Sequence, residues 1–482
     1  MLYYSTRGDD KRLTSGAAIF KGIADDGGLY VPESFPDISN ELPRLCKLDY
    51  RELADEILRL YLTDYTADEL TESINRAYDD KFDTADIAPL TEKAGYYFLE
   101  LFHGKTLAFK DMALSLLPGL MKIAALKQDM NKDLVVLTAT SGDTGKAALE
   151  GFAGTEDIDI VVFFPLEGVS EIQKLQMQTQ EGGNTHVIGV YGNFDDAQTG
   201  VKRIFGEGIP GVHISSANSI NIGRLLPQIV YYVYAYAQMV NKYGLKLYDP
   251  VNFTVPTGNF GNILAGYYAK RMGLPINKLI CASNDNKVLY DFLQTHEYDK
   301  NRKLITSASP SMDILVSSNL ERLLFHMSGS LQTKEYMNQL SELGVYKFVG
   351  ATDGFAAEYA NQDECFEGIR ELYELSGYII DTHTAVAYRA YQKYRNNSGD
   401  NTPNIILSTA SPFKFPESVC ASIDSKHSGL DAFESVKELQ RLSGGYLPEQ
   451  IASLEHKEKR HMAVCKPEDM KNAILEALSN SR

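Results

Sequence analysis

Residues 134–146 read LVVLTATSGDTGK, and they set the architecture expected for the whole chain. Residues 134–139 are apolar and rich in β-branched side chains, which predicts a buried strand. A polar turn with two glycines follows, and residues 146–152 show the spacing of a helix. This order of strand, turn and helix is typical of a βαβ unit in a parallel sheet.

The same alternation extends in both directions from that unit. Strands are predicted at residues 158–164, 186–191, 251–255, 278–282 and 404–407. Helices are predicted at residues 170–180, at residues 262–272 and from about residue 195. Upstream, Gly/Pro/Asp turns mix with helical periodicity at residues 50–62 and 67–78, which predicts a small and mainly helical domain.

We therefore expect an α/β protein in which a small, mainly helical N-terminal domain is followed along the chain by two doubly wound lobes. The expected boundaries are 1–98 for the N-terminal domain and 99–482 for the region of the two lobes. Within that region the smaller lobe covers roughly residues 130–240, and the larger lobe is the remainder.

Composition excludes several classes of protein. The chain has 482 residues and a net charge of −17, which disfavours binding to nucleic acid because no basic patch offsets the acidic field. The longest uncharged apolar run, residues 225–240, is shorter than the roughly 20 residues that cross a bilayer, so it predicts a buried helix. Residues 1–7 lack the apolar core of a signal peptide, and we expect a cytoplasmic protein.

Cysteines and histidines give no sign of a metal site. The five cysteines are an odd number, scattered without metal-ligand spacing, and we expect reduced, mostly structural thiols. None of the nine histidines lies in an HExxH or comparable pattern, so no metal is expected.

Two turns between a strand and a helix are suited to binding anions. The turn at residues 140–146 lacks the first glycine and the final Ser/Thr of a P-loop, so a nucleotide site is excluded; an anion site and a plain helix cap both remain open. The turn at residues 258–262, GNFGN, has no acidic residue and suits a phosphate. A similar turn at residues 192–194 is followed by two aspartates that would repel one.

Two basic residues stand near these turns in the sequence. Lys110 lies among apolar neighbours at a predicted helix start, where desolvation could make it a nucleophile, although an ordinary surface lysine is the default interpretation of the pattern. Arg224 follows the polar segment 215–223 and suits bidentate phosphate recognition. A helix-face arginine beside a capping segment is the alternative.

Taken together, these segments resemble the threonine synthase family, which belongs to fold type II of the pyridoxal phosphate enzymes. The resemblance covers nearly the whole chain. The matching segments in order are YSTRG (4–8), GGLYVP (27–32), HG (103–104), TLAFKD (106–111), SGDTG (141–145), NSIN (218–221), GRLLPQ (223–228), GNFGN (258–262), SPSMDI (309–314), TA (409–410), Pro412 and KFP (414–416).

The resemblance implies a role for each of these segments. Lys110 would carry pyridoxal 5'-phosphate as a Schiff base, and the hydroxyl of Thr409 would lie beside the pyridine nitrogen. The cofactor phosphate would be held by Gly258, Asn259, Phe260, Gly261 and Asn262. The substrate would be bound by Ser141, Asp143, Thr144, Asn218 and Arg224.

The implied reaction converts O-phosphohomoserine and water to L-threonine and phosphate, the last step of threonine biosynthesis. It proceeds by γ-elimination and β-addition, with Lys110 as general base and acid. The alternative is another fold type II lyase, such as a serine/threonine dehydratase or a phosphate-eliminating relative, against which Asn218 and Arg224 argue. A small-molecule substrate is the expected partner, and a monomer and a homodimer both remain open.

Three positions depart from the usual family pattern. Lys105 and Thr382 stand where proline is usual, and Ser411 stands where histidine is usual. Ser411 is two residues from Thr409, so its departure bears on fine specificity and leaves the cofactor unaffected.

Overall fold

The computed structural model describes residues 1–128, 133–140, 142–166 and 169–480. The strands are β1 (Tyr3–Ser5), β2 (Tyr30–Pro32), β3 (Leu90–Lys93), β4 (Tyr96–Glu100), β5 (Asp133–Ala139), β6 (Ile158–Pro165), β7 (Thr185–Val190), β8 (Val212–Ser216), β9 (Val251–Pro256), β10 (Ile276–Ser283), β11 (Glu297–Asp299), β12 (Val345–Lys347), β13 (Phe355–Tyr359), β14 (Asn404–Ser408) and β15 (Ala463–Cys465).

Helices fill the connections between these strands. They are α1 (Ser15–Lys21), α2 (Leu42–Leu45), α3 (Tyr50–Tyr61), α4 (Ala67–Ala77), α5 (Asp111–Leu114), α6 (Leu117–Lys127), α7 (Asp143–Phe152), α8 (Glu171–Gln178), α9 (Phe194–Glu207), α10 (Ile222–Tyr243), α11 (Gly261–Arg271), α12 (Val288–Thr295), α13 (Leu320–Glu342, kinked at Gly329), α14 (Gln362–Ser376), α15 (Thr382–Ser398), α16 (Pro416–Ile423), α17 (Ala432–Leu442), α18 (Glu449–Ala452) and α19 (Met470–Asn480).

The N-terminal region is mainly helical, as predicted. Helices α3 and α4 each begin with a capping box, formed by Asp49 with Glu52 and by Thr66 with Glu69. These reciprocal hydrogen bonds satisfy N–H groups that a helix start leaves without partners. The apolar face of α3 is fully buried and packs against α10.

Two parallel sheets form the catalytic region and confirm the predicted fold class. The larger sheet has the order β13-β10-β9-β14-β4-β3, with only β3 antiparallel, and the smaller has the order β15-β7-β6-β5-β8. In each sheet the strand order reverses at one place, between β9 and β14 and between β5 and β8. Such switch points open a crevice at the carboxyl ends of the strands, where ligands bind in this class of fold.

Sheet membership differs in two places from the expected domain division. The expected boundary at residue 98 falls inside β4, because β3 and β4 form a hairpin at the edge of the larger sheet. Strand β15 was expected in the larger lobe, yet it pairs with β7 at the edge of the smaller sheet. Its three residues are too short to give a sequence signal.

Helix α10 is the predicted buried helix. It begins at the cap Asn221, whose side chain accepts from the N–H of Gly223, and ends at Gly244 in the left-handed conformation. Every residue from Ile222 to Met239 is buried. Along the described ranges, no helix combines the length and the apolar character that crossing a bilayer requires.

Buried polar contacts fasten the N-terminal region to α13. The Glu321 carboxylate accepts from Thr6 Oγ1 at 2.6 Å and from Arg7 Nε and Nη2 at 2.9 and 2.8 Å. Beside it Arg322, which is fully buried, donates to the carbonyls of Tyr30 and Ile220. Helix α13 thereby joins residues from three distant parts of the chain.

Candidate active site

The two switch points face a common cavity of about 630 Å³. Residues of both sheets and of the segments that follow their strands line it. Those named by the sequence analysis are Lys110, Thr144, Asn218, Arg224, Gly258, Asn259, Phe260, Gly261, Asn262 and Thr409. The fold therefore brings together segments that lie up to 299 positions apart in the sequence, from Lys110 to Thr409.

Lys110 is placed by pairing between two segments. The N–H of Phe109 donates to the carbonyl of Thr409 at 2.8 Å, and the N–H of Ser411 donates to the carbonyl of Leu107 at 2.9 Å. These bonds hold Lys110 at the start of α5 next to Thr409. The predicted helix-start position of Lys110 and its proximity to Thr409 are both present.

The ammonium of Lys110 lies 3.6 Å from Asp143 Oδ2. Burial lowers the pKa of Lys110 below its ordinary value; Asp143 opposes that shift, while Arg224 and Lys414 reinforce it. A buried lysine with a lowered pKa more readily supplies the uncharged amine that attacks a carbonyl group.

Asp143 is buried among cations. Burial by itself would raise its pKa, but attraction to Lys414 and Lys110 outweighs burial and holds the pKa well below the ordinary range. Lys414 Nζ lies 3.0 Å from Asp143 Oδ1. Asp143 is therefore a carboxylate that is ionised in the interior.

A helix start provides the first anion cradle. In α11 the N-cap Phe260 gives no side-chain hydrogen bond, and the first turn carries no acidic residue. The carbonyl of Gly258 accepts from Ser317 Oγ and that of Asn259 from Asn319 Nδ2. Hydrogen bonds to its carbonyl groups thus fix the loop, while the N–H groups of the first turn of α11 lack intrahelical partners. This arrangement fits the phosphate of a cofactor.

The five residues of that loop differ in what they contribute. A Cβ on Gly258 would meet the carbonyl oxygen of Ser311 at 2.4 Å, so only glycine fits. Asn262 turns its Oδ1 toward the hydroxyls of Tyr231 and Tyr232, which donate to it at 2.7 and 2.9 Å. The Asn262 side chain therefore anchors the loop to α10.

Arg224 provides the second anion cradle, at the other switch point. It is buried, and its Nη1 donates to the carbonyl of Ala217 at 2.5 Å. Among the described residues its guanidinium has no carboxylate partner, and its Nε has no hydrogen bond. Burial lowers the pKa of Arg224 to about 10. Because a buried charge without a counter-ion is costly, an anionic ligand is the natural partner.

The remaining predicted residues lie as follows. Asn218 donates from Nδ2 to the carbonyl of Ala139 at 2.9 Å, which ties the ends of β8 and β5 together. Thr144 lines the cavity in the first turn of α7. Ser141 lies outside the described residues. Of the departures from the family pattern, Thr382 and Ser411 are buried and Lys105 is exposed.

Sequence analysis missed several residues that contact Asp143 directly or support it. Gln173 Nε2 donates to Asp143 Oδ1 at 2.8 Å, and Ser311 Oγ donates to Oδ2 at 3.2 Å. His383 accepts from the N–H of Ser311 and bonds through Nδ1 to Asp381. Ser311 and Lys414 lie inside segments that matched the family, but nothing in the sequence indicated their partners.

Comparisons with known proteins match this chain along nearly its whole length. Models described as "Threonine synthase N terminus", "Pyridoxal-phosphate dependent enzyme" and "Threonine synthase, C-terminal" match residues 2–78, 85–409 and 384–474. The threonine synthase of Schizosaccharomyces pombe is 39% identical, over 88% of this chain and 89% of that protein.

Two further matches concern the length of one relative and the cofactor that another binds. "Threonine synthase-like 1" of Pongo abelii is 42% identical over 85% of this chain, which spans only 58% of that relative. The crystal structure of "PLP bound Threonine synthase from Brucella melitensis" is 34% identical with a TM-score of 0.87, and each chain covers 99% of the other. The two cradles around Lys110 agree with these matches, and the chain belongs to the threonine synthase family of pyridoxal-phosphate-dependent enzymes.

Proposed function

We propose that this protein converts O-phosphohomoserine and water to L-threonine and phosphate. The observation that carries the proposal is the pair of anion cradles that flank Lys110 in one cavity. One cradle suffices for the cofactor phosphate. A lyase whose substrate carries no phosphate has no need of the second, which is built around a buried arginine that has no carboxylate partner in the described part of the chain.

The loop of residues 258–262 binds the cofactor phosphate in this proposal, and Thr409 lies beside the cofactor ring. Pyridoxal phosphate, when bound, supplies an electron sink that stabilises negative charge developing on substrate carbon atoms. Lys110 first holds the cofactor. Once released as a free amine, Lys110 Nζ removes and returns protons at the substrate carbons.

Arg224, Asn218 and Thr144 bind the substrate phosphate and stabilise it as it leaves. They lie near the β5/β8 switch point and line the same cavity as the α11 loop, which supports a substrate-phosphate site separate from that of the cofactor. Donors fixed in a buried site stabilise developing charge more strongly than water does, because they need not reorganise.

The test incubates the purified, cofactor-loaded protein with O-phosphohomoserine and measures both products. We expect threonine and phosphate in equal amounts. Phosphate released without threonine would indicate an eliminating relative instead. Lys110→Ala, mixed with pyridoxal phosphate and reduced with borohydride, should carry no covalent cofactor; label that persists would assign the cofactor to another lysine.

A further inference from the structure

Lys414 is one of the most deeply buried cations of the chain. It is 0% exposed and sits in the turn that follows β14. Its Nζ donates to the carbonyl of Thr106 at 2.8 Å and to Gln176 Oε1 at 3.0 Å, in addition to its ion pair with Asp143. A lysine held by three oxygens has a fixed ammonium group, and its three N–H donors are all used.

The Asp143 carboxylate is largely occupied by its neighbours. Oδ1 faces Lys414 and Gln173, and Oδ2 accepts from Ser311 and faces Lys110 at 3.6 Å. Three of the roughly four acceptor positions of a carboxylate are therefore filled. The negative charge of Asp143 would also repel a phosphate.

We propose that Lys414 is a positioning residue, which fixes the Asp143 carboxylate and shares it with Lys110, so that Asp143 partly balances the charge of Lys110 and does not bind substrate. This reassigns Asp143 from the substrate set in which the family resemblance had placed it. The inference rests on the proposed function in one respect, namely that Lys110 is the amine that captures the cofactor.

The charged groups around Lys110, Asp143 and Lys414 determine whether the pKa of Lys110 rises or falls when one of them is removed. Asp143 at the start of α7, Arg224 on α10 and Lys414 act on Lys110, and His383 on α15 acts on Asp143. Charged groups farther out that act on Lys414 or its neighbours are Asp111, Lys146 and Glu150. While Lys414 shares the carboxylate, Asp143 holds the proton of Lys110 less tightly. Without Lys414, Asp143 would pair with Lys110 alone, and one repelling cation would be gone.

The experiment measures how fast the cofactor-stripped full chain captures pyridoxal phosphate at Lys110, from about pH 6 to about pH 10. Capture joins Lys110 Nζ to the aldehyde carbon with loss of one water. Borohydride then reduces the carbon–nitrogen double bond, and the labelled peptide is counted. The midpoint of the pH profile reports the protonation of Lys110.

For Lys414→Met we expect the midpoint to move up by about one pH unit, which slows capture about tenfold below the midpoint. For Asp143→Asn we expect a shift in the opposite direction. The double variant should return toward the parent profile, because the two effects act through one ion pair. Lys270→Met is the matched control: it removes a lysine that donates to the carbonyls of Ile276 and Asn277, and its profile should match the parent.

If both single variants capture less cofactor but keep the midpoint of the pH profile unchanged, Lys414 only supports the fold, and the inference is overturned. If Lys414→Met does not fold, Asp143→Asn still tests the charge balance, and an unshifted midpoint in that variant would overturn the inference. Unshifted midpoints in a protein that makes threonine reject only this inference. Shifted midpoints in a protein that makes no threonine reject only the proposed function.

Discussion

Arg224 stands apart from other buried cations at this site. Lys110 and Lys414 share the carboxylate of Asp143, whereas the guanidinium of Arg224 has only a backbone carbonyl as its described partner. Desolvating a charge without a counter-ion is unfavourable. The buried charge of Arg224 therefore lowers the free energy of unfolding of the ligand-free protein, and a bound anion would raise it.

For Arg224→Gln we expect kcat/KM for O-phosphohomoserine to fall about 10²–10³-fold, since the departing phosphate loses its charge-assisted donor. The cofactor should stay bound, because its phosphate uses the loop at the start of α11. Steady-state kinetics and visible absorbance of the bound cofactor check the two parts. Loss of cofactor in step with activity would move Arg224 out of the substrate cradle.

For individual residues, the sequence identified members of the site but not the side chains that they contact. Gly258 could be named from the chemistry of its turn, whereas the roles of Lys110 and Arg224 came from the resemblance of their segments to the family. Gln173 and His383 could not be named, since their roles depend on contacts across 30 and 72 positions, to Asp143 and Ser311 respectively. Such contacts are set by tertiary packing within each lobe, which local sequence patterns do not reveal.

Among the elements, the loop before α11 is the most constrained. Phe260 adopts a left-handed backbone conformation with φ 63°, which is unfavourable for a residue with a side chain. Gly258 packs against the backbone of Ser311 with no room for a methyl group. The surrounding contacts hold the loop in a shape that its own residues disfavour.

Gly258→Ala should therefore weaken cofactor retention by at least about tenfold, because the added methyl group must push the loop or Ser311 aside. Fluorescence titration of the stripped protein with pyridoxal phosphate measures the change. Gly183→Ala is the control, since a methyl group there meets nothing within 4 Å. Equal affinity in both variants would contradict the close fit at residue 258.

The strands that follow the helical N-terminal region show where prediction of elements failed. The β3–β4 hairpin turns at Ala94 and Gly95, which both have positive φ, 51° and 81°. Asparagine or aspartate before glycine signals such a turn, and alanine does not. The sequence analysis therefore did not predict the hairpin and assigned most of it to the helical domain. The bounds of the longer apolar strands β5, β6 and β9 were predicted to within one or two residues.

In the whole molecule, the N-terminal region and the catalytic region share one apolar core, and buried polar contacts add to it. Glu321 binds both Thr6 and Arg7, and Thr6 Oγ1 also accepts from the N–H of Leu29 at 2.8 Å. Removing the carboxylate would leave this buried set of donors without an acceptor.

We expect Glu321→Ala to lower the free energy of unfolding by about 2–4 kcal/mol and to speed proteolytic release of the N-terminal segment. Thermal unfolding and limited proteolysis measure both effects. The exposed pair of Asp25 with Lys11 is the comparison, and Asp25→Ala should change little. Equal effects of the two substitutions would show that the Glu321 contacts do not hold the domains together.

The order of strands in the larger sheet has a consequence for how the chain is synthesised. Strand β14 (residues 404–408) lies between β9 and β4, so the N-terminal β3–β4 hairpin leaves the ribosome some 300 residues before its neighbour exists. The smaller sheet gains its edge strand later still, at residues 463–465. The apolar faces of early strands must stay shielded during translation, because the larger sheet is complete only once residue 408 has emerged and the smaller sheet only once residue 465 has emerged.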